Sequence, residues 1–381
     1  MQSVYFTPDH DTFRAAVRRF LEQEVAPHAT QWEAERRIPR EIFRRMGELG
    51  FLGILFPPEV GGAGGDLFHA VAFLEELPRS RMGGFCAAVA VQQFMASRHI
   101  WSWGSEAQKR RWVVPSIEGR AVGALAVTEP DAGSDVSALR TRAERCDEGW
   151  LINGAKTFIT NGADGNFFTL AAKTSSDKGA GGLSLFVVPA DAPGVRVARR
   201  LEKLGWHAGD TAELSFEDVR LPADALIGEE NAGFGYLMQA FQLERLCSAA
   251  TAVGSAILCL EETLAYARER KAFGRPIVKF QTMNHKLAEL WTATEAARQL
   301  TLHAAWLLQN AHPAVRECSM AKLYATETAK RVADECLQCF GGYGLMEEYP
   351  AARFYRDSRP GTIVAGTSEI MREIIARLIV G

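Results

Sequence analysis

The spacing of apolar residues changes twice along the chain, and that order limits the folds open to it. Up to about residue 120, positions such as Phe13, Val17, Phe20, Leu21 and Val25 recur at helical spacing. Thr7 is placed as an N-cap, Pro8 and Pro39 where a first helical turn accepts proline, and Gly50 as a stop. From about residue 121 short β-rich runs take over, at 124–128, 150–152, 157–160, 167–170, 183–188 and 212–216, and Asn153-Gly154 predicts a tight hairpin between two of them. After Gly233 the helical period returns in segments ending near 271, 310 and 340 and in a last one from Ser368, punctuated by Gly274, Pro276, Pro313, Gly341, Gly342, Pro350 and Pro360. The expected fold is therefore α+β in three parts: an all-α domain over 1–120, a middle, largely antiparallel, barrel-like β domain over 121–230, and a four-helix bundle over 231–381. This is not the βαβ alternation of a doubly wound sheet.

Charge narrows the function classes. The 43 Lys and Arg against 46 Asp and Glu leave a formal charge of −3 with no basic block, which argues against nucleic acid or an anionic membrane as a main partner. The charge-free, mostly apolar stretch between Arg245 and Glu261 is short of the roughly 20 residues a bilayer span needs, and reads as a buried helix. The first ten residues resemble neither a secretory nor a transit signal, so a cytoplasmic location is expected. Seven cysteines, an odd number, suggest reduced thiols, and Cys336 and Cys339 form a lone CxxC inside a helical pattern. No metal site is expected.

Three segments carry possible chemistry. Gly361 to Ser368 has P-loop glycine spacing, but Thr367 stands where the phosphate-binding Lys must be, so ATP hydrolysis does not fit. Thr367, Ser368 and Glu369 at a helix start suit an anion, although an ordinary N-cap is the commoner meaning of such a start. The run from Ala126 to Asp135 takes a strand into a turn rich in hydroxyls and carboxylates, either a cradle for a polar cofactor or only a polar turn. Nearby, Phe158 and Thr160 share a strand face, as suits a ring that wants stacking and a hydrogen bond, or a sheet face packed in the core. The third is Glu244. On a helix it shares its face with Leu237, Ala240, Phe241, Cys247, Ser248 and Thr251, which makes it either a base whose pKa burial raises or part of a solvated Glu244-Arg245 doublet.

Together with the α, β, α order, further motifs complete a pattern: Val127-Thr-Glu-Pro-Asp-Ala-Gly-Ser-Asp135, Asn153-Gly-Ala-Lys-Thr-Phe-Ile-Thr-Asn-Gly162, Phe216-Glu-Asp-Val-Arg-Leu-Pro222, Gly228-Glu-Glu-Asn-Ala-Gly-Phe234, Arg268-Glu-Arg-Lys-Ala-Phe-Gly-Arg-Pro276, Gln338-Cys-Phe-Gly-Gly-Tyr-Gly344 and Tyr355-Arg-Asp357. The chain resembles the acyl-CoA dehydrogenase family over essentially its whole length. That resemblance implies FAD between the β domain and the bundle. Leu125, Val127, Thr128, Gly133 and Ser134 would contact the isoalloxazine edge and pyrophosphate, Phe158 and Ile159 would lie at the ring, and Thr160 would bond near flavin N5. Thr367, Ser368 and Glu369 would hold phosphate and ribose. Arg270, Phe273, Gln281, Gln338, Cys339, Gly341 and Gly342 would serve the adenine end, partly across subunits of a dimer-of-dimers tetramer.

The resemblance also implies a mechanism. Many relatives carry the catalytic base immediately before Gly-Thr-Ser, where this chain has Ala365. The isovaleryl-CoA and long-chain branches instead place it within Leu-Glu-Arg-Leu in the first bundle helix, which matches Leu243-Glu244-Arg245-Leu246. Glu244 would remove the α-proton of an acyl-CoA, the Ala365 N–H and a flavin hydroxyl would polarise the thioester, and the β-hydrogen would leave as hydride, giving a trans-2-enoyl-CoA. Ser134, Gln242, Arg245, Ala365 and Gly366 would line the acyl channel, with Met95, Trp101 and Trp103 either shaping its end or packing a core. Electron-transferring flavoprotein would reoxidise the flavin. The same chemistry on an acyl or peptidyl carrier protein is the alternative, with a flavin monooxygenase or a DNA-associated relative further off.

Overall fold

The computed structural model describes residues 4–175 and 179–381. Eight helices make the N-terminal part: α1 (Pro8–Phe20), α2 (Ala29–Glu35), α3 (Arg40–Glu48), α4 (Leu67–Glu76), α5 (Gly83–Ala90), α6 (Ser97–Trp103) and the single turns α7 (Glu106–Gln108) and α8 (Val114–Ile117). Thr7 is the N-cap of α1 with Pro8 following, and Gly50 comes just after the end of α3 at φ +75°. Among the described residues, π-helical stretches interrupt the α geometry at Leu21–Val25, Val91–Ala96 and Lys109–Val113. Their local sequence carries no signal that periodicity reads.

The middle part is a twisted sheet of β1 (Gly123–Ala126), β2 (Arg142–Cys146), β3 (Gly149–Thr160), β4 (Phe167–Lys173), β5 (Leu183–Pro189), β6 (Val195–Arg200), β7 (Thr211–Pro222) and β8 (Leu226–Ile227). The strand order is β6-β7-β3-β2-β4-β5-β8, with β1 beside β4. Among the described residues, only β1–β4 and a single residue pair of β2–β4 run parallel. The hairpin expected at Asn153-Gly154 is absent: β3 runs straight through both residues, with a register shift against β7 between Ile152 and Gly154. Glycine is needed at 154 for close approach, because a Cβ there would lie 2.5 Å from Thr141 Oγ1. The true hairpin is one step earlier, where Cys146 pairs with Gly149 around Asp147-Glu148. Strands β2 and β6 escape the pattern because β2 buries a single residue and β6 none.

The C-terminal part packs α9 (Gly233–Glu269), α10 (Gln281–Gln309) and α11 (Val315–Phe340) pairwise, with α12 (Pro350–Ser358) and α13 (Ser368–Val380) laid against α11. A two-residue ribbon, β9 (Lys271–Ala272) with β10 (Arg275–Pro276), joins α9 to α10. One window of α9 is long and apolar enough to cross a membrane, yet 72% of it is buried in the protein. Leu246, Ala249, Ala250 and Val253 of α9 belong to the same apolar core as Val71 and Phe73 of α4, so the bundle and the N-terminal part share one interior.

Buried polar contacts lock the three parts together. Glu75 and Glu76 of α4 receive Arg14 and Arg18 from α1, and Arg298 from α10, at 2.6–3.0 Å. Asp357 of α12 accepts the N–H groups of Gly83 at 2.9 Å and Trp206 at 2.7 Å, tying all three parts at one carboxylate. Burial raises its pKa to about 6, against the pull of those two amides.

Candidate functional site

Glu244 lies in the first third of α9 and is 4% exposed, with Arg245 beside it at 7%. Of the two sequence readings, the solvated doublet is therefore excluded. Burial pushes the Glu244 pKa up to about 8, opposed only weakly by Arg245, and among the described residues its Oε1 meets no hydrogen-bond partner. Arg245 does not neutralise it, because its Nη1 reaches across to Ser319 Oγ on α11 at 3.4 Å and its guanidinium lies 5.9 Å from the Phe241 ring. A carboxyl with an orphaned oxygen and a pKa near neutrality is poised to exchange a proton with a ligand.

One turn beyond Ser319 on α11 is Lys322, fully buried, whose Nζ donates to the Gly366 carbonyl at 2.6 Å. Burial lowers its pKa to about 8, with Arg245 adding repulsion. Lys322 thereby links the α9–α11 interior, where Glu244 lies, to the turn that precedes α13. In that turn Ala365 has φ +54° and Gly366 φ +89°. A left-handed alanine costs about 1–2 kcal/mol, and one hydrogen bond from a charged donor contributes about 1.5–3 kcal/mol, enough to offset it. Thr367 caps α13 by accepting the Ile370 N–H at 3.2 Å, which is the plain N-cap reading, and the buried Ser368 Oγ beside it has no partner among the described residues. Glu369 is exposed in the first turn.

The second group forms where β1 runs into the loop to Ser134. Glu129 accepts the N–H groups of Arg140 (2.6 Å) and Thr141 (2.9 Å) and the Nζ of Lys156 (2.8 Å), which also donates to the Val127 carbonyl at 2.9 Å. Lys156 is buried and its pKa falls to about 8 through burial, against the attraction of Glu129. The Thr157 N–H donates to the Thr128 carbonyl at 2.9 Å, so β3 is stitched to the loop immediately before Phe158. A bulge between Lys156 and Ile159 then throws Phe158 outward at φ +58° and 67% exposure, while Ile159 is buried and Thr160 half-buried. Phe158 and Thr160 thus stay on the open side, but through a bulge rather than a plain pleat. A strained, exposed aromatic beside a rigid polar loop fits the flavin ring that the resemblance implies. Val127 is buried, Thr128 half-buried, and Gly133 and Ser134 exposed. Leu125 packs in the apolar cluster that holds Phe241 of α9, which brings this loop to the helix turn before Glu244. Gln242 is half-buried on the same stretch. Trp101 and Trp103 join that cluster too, with Trp103 stacked on Tyr236 at 4.6 Å, so packing accounts for both.

The third group stands apart. Arg270, Cys339, Gly341 and Gly342 line one open groove, with Arg270 5.5 Å over the Tyr343 ring. Phe273, at φ +50° and 96% exposed, turns the β9–β10 ribbon, and Gln281 and Gln338 are exposed on adjoining helix ends. Glu244 and Glu269 are separated along α9 by about 38 Å at 1.5 Å per residue, so a single ligand at Glu244 does not also reach the Arg270 groove of the same chain.

Sequence reasoning missed Glu129, Lys156 and Lys322 as positioning groups. Their only signal was a lysine standing among small or β-branched neighbours, as Lys156 does between Ala155 and Thr157 and Lys322 after Ala321. Among the described residues, His10, Asp66 and His69 bring three ligand-type atoms within 4.8 Å. His10 Nδ1, however, accepts the Thr7 N–H at 2.9 Å, which puts the ring proton on Nε2, where it donates to Asp66 at 2.9 Å. That tautomer leaves the imidazole without a lone pair for a metal.

Comparison with known proteins shows what the chain as a whole is similar to. The chain matches the acyl-CoA dehydrogenase N-terminal domain over residues 7–120, the middle domain over 124–219 and the C-terminal domain over 231–380. It is 43% identical to the long-chain specific acyl-CoA dehydrogenase of Sus scrofa, over 98% of this chain and 87% of that protein. A crystal structure of a probable acyl-CoA dehydrogenase from Mycobacterium abscessus is similar at TM-score 0.96 and 43% identity, covering 99% of this chain and all of that one. A glutaryl-CoA dehydrogenase from Mycobacterium smegmatis, solved in complex with FADH2, is similar at TM-score 0.94 and 30% identity, covering 99% of this chain and 96% of that one.

Proposed function

Because the chain belongs to the acyl-CoA dehydrogenase family, an FAD-dependent family of acyl-CoA oxidoreductases, we propose that it introduces an α,β double bond into an acyl-CoA thioester with Glu244 as the base. The buried, unpaired carboxyl of Glu244 is the observation that carries this reading. An α-hydrogen beside a thioester is a weak acid, and a base with a pKa near 8 in a desolvated site matches it better than an exposed carboxylate. The Ala365 N–H polarises the thioester oxygen and so lowers the cost of removing that proton. Glu244 takes the α-proton, and the bond electrons form the new C=C as the β-hydrogen departs. Bound FAD supplies the acceptor for that hydrogen as hydride. The trans-2-enoyl-CoA is the product.

The exposed Phe158, the loop fixed by Lys156 and Glu129, and the free Ser368 hydroxyl suit the ring and phosphate ends of the cofactor. The separation of the Arg270 groove from Glu244 supports a further part of the reading: that groove serves the adenine end of FAD bound at another copy, in a dimer-of-dimers tetramer. Large exposed apolar side chains on the bundle, Trp291, Trp306, Leu378 and Ile379 among them, give such an assembly its contact surface. Electron-transferring flavoprotein as the acceptor belongs to the same proposal.

Anaerobic titration of the flavin-loaded protein with straight and branched acyl-CoAs tests the reading. At least one member of the panel bleaches the flavin stoichiometrically; bleaching only by an acyl group on a carrier protein moves the substrate to that class. Ala365 offers a second check. Placing Glu there in a Glu244→Gln background partly restores flavin bleaching, because many relatives carry their base at that position. A double variant as inactive as Glu244→Gln alone contradicts a substrate carbon lying between the two positions.

A further inference from the structure

The turn before α13 presents the amide N–H groups of Ala365, Gly366 and Thr367, and none of them meets an acceptor among the described residues. The three residues are half-buried, so these donors are left to solvent or to a ligand rather than to the protein. Positive φ at both Ala365 and Gly366 curls such donors into a concave nest that favours negative charge. A nest of this kind needs an anchor. Packing does not supply it, since Ile363 and Val364 on its approach are 51% and 38% exposed.

Lys322 reaches the turn from inside. It is 0% exposed, and among the described residues its Nζ pairs with no carboxylate and makes one hydrogen bond, to the Gly366 carbonyl at 2.6 Å. Charges are seldom buried this far without a counter-ion, so the position is costly for folding alone. A trans peptide is planar, and its C=O and N–H point in opposite directions. Drawing the Gly366 carbonyl inward onto Lys322 therefore turns the Thr367 N–H outward and fixes the plane from which the Ala365 and Gly366 donors are set.

We propose that Lys322 is a positioning residue for substrate activation: by holding the Gly366 carbonyl it keeps the Ala365 N–H aimed at the thioester oxygen and the Thr367 N–H at the cofactor phosphate. This rests on the dehydrogenase reading of the site. Lys322 touches neither substrate nor cofactor, and it acts through the backbone of the turn.

The test uses flavin-loaded Lys322→Met and Lys322→Arg proteins with a 3-thia-acyl-CoA as probe. Sulfur at the β-position leaves no β C–H, so α-proton removal occurs by itself and is read as deuterium uptake from D2O by mass spectrometry. In Lys322→Met, α-deuteration slows about tenfold to a hundredfold with little change in the probe's dissociation constant, and amide exchange quickens across 363–368 but not along α9 or α11. Lys322→Arg, which keeps a cationic donor, recovers part of the lost rate. Unchanged α-deuteration in a flavin-loaded Lys322→Met protein overturns the proposal. So does a Lys322→Met chain that fails to fold or to keep flavin while Lys322→Arg does both, because that outcome makes Lys322 a folding residue. Glu244→Gln, run alongside, separates the two levels: if it too deuterates the probe at the wild-type rate, the dehydrogenase reading of the site fails, whereas a silent Glu244→Gln with an unaffected Lys322→Met removes the anchor alone.

Discussion

Glu244→Gln lowers acyl-CoA-dependent flavin reduction by about three orders of magnitude, the span a positioned general base supplies, while the protein keeps its FAD. Gln fills the same volume and cannot take the proton. In the wild type, kcat/KM for flavin reduction climbs between pH 6 and 9 with an apparent pKa close to 8, because the carboxyl that burial holds protonated must first ionise. The same shift makes a stability statement. The folded pKa lies above the ordinary 4.5, so the native state holds an extra proton between those values; stability is highest below pH 4.5 and is lost as pH rises through 8. Gln does not titrate. The stability advantage of Glu244→Gln therefore widens from pH 5 to pH 9, by on the order of 3 kcal/mol at 1.36 kcal/mol per pKa unit with allowance for relaxation. Stopped-flow rates and melting temperatures across that range check both halves. A flat pH–rate profile, or a melting difference that does not grow with pH, places the ionising group elsewhere.

Lys156→Met has the second-largest effect, and it falls on the cofactor loop. Removing the ammonium leaves Glu129 buried with two backbone amides and no counter-ion, a change that costs about 3–5 kcal/mol and frees the Val127 carbonyl. The loop from Val127 to Ser134 then loses its side-chain tie to β3 and keeps only the backbone bond from Thr157 to Thr128, and the protein is isolated with a lower flavin-to-protein absorbance ratio and a lower melting temperature. The double variant with Glu129→Gln recovers part of the stability, since no charge is then buried alone, but it does not recover the full flavin content. If Lys156→Met melts and binds flavin like the wild type, the pair is not what holds the loop.

Much of the molecule is local in origin and legible as such. The α, β, α order, the cap at Thr7, the stop at Gly50 and the placement of Glu244 on a mainly apolar helix face all follow from residues within one or two turns of each other, and periodicity reports that range well. Asn153-Gly154 shows where the range ends. The pair has hairpin chemistry, yet the approach of Thr141 demands a residue without a Cβ at 154, and β3 continues through it. Strands β2 and β6 are made by their neighbours, because β2 buries one residue and β6 none.

The site divides along the same line. The sequence by itself placed a carboxylate at 244, an aromatic at 158 and a glycine-rich turn ahead of the last helix, since each is a local pattern with a local meaning. Whether Glu244 is ionised, whether Phe158 faces outward, and what holds the turn at 366 were decided only by the tertiary structure. Glu244 sits on α9, which packs against α4, α10 and α11 from distant parts of the chain, the bulge at Phe158 arises in the pairing of β3 with β7, and the Gly366 anchor is a lysine 44 residues earlier. Burial and hydrogen bonding depend on the groups that folding brings into contact, and spacing along one chain does not encode them.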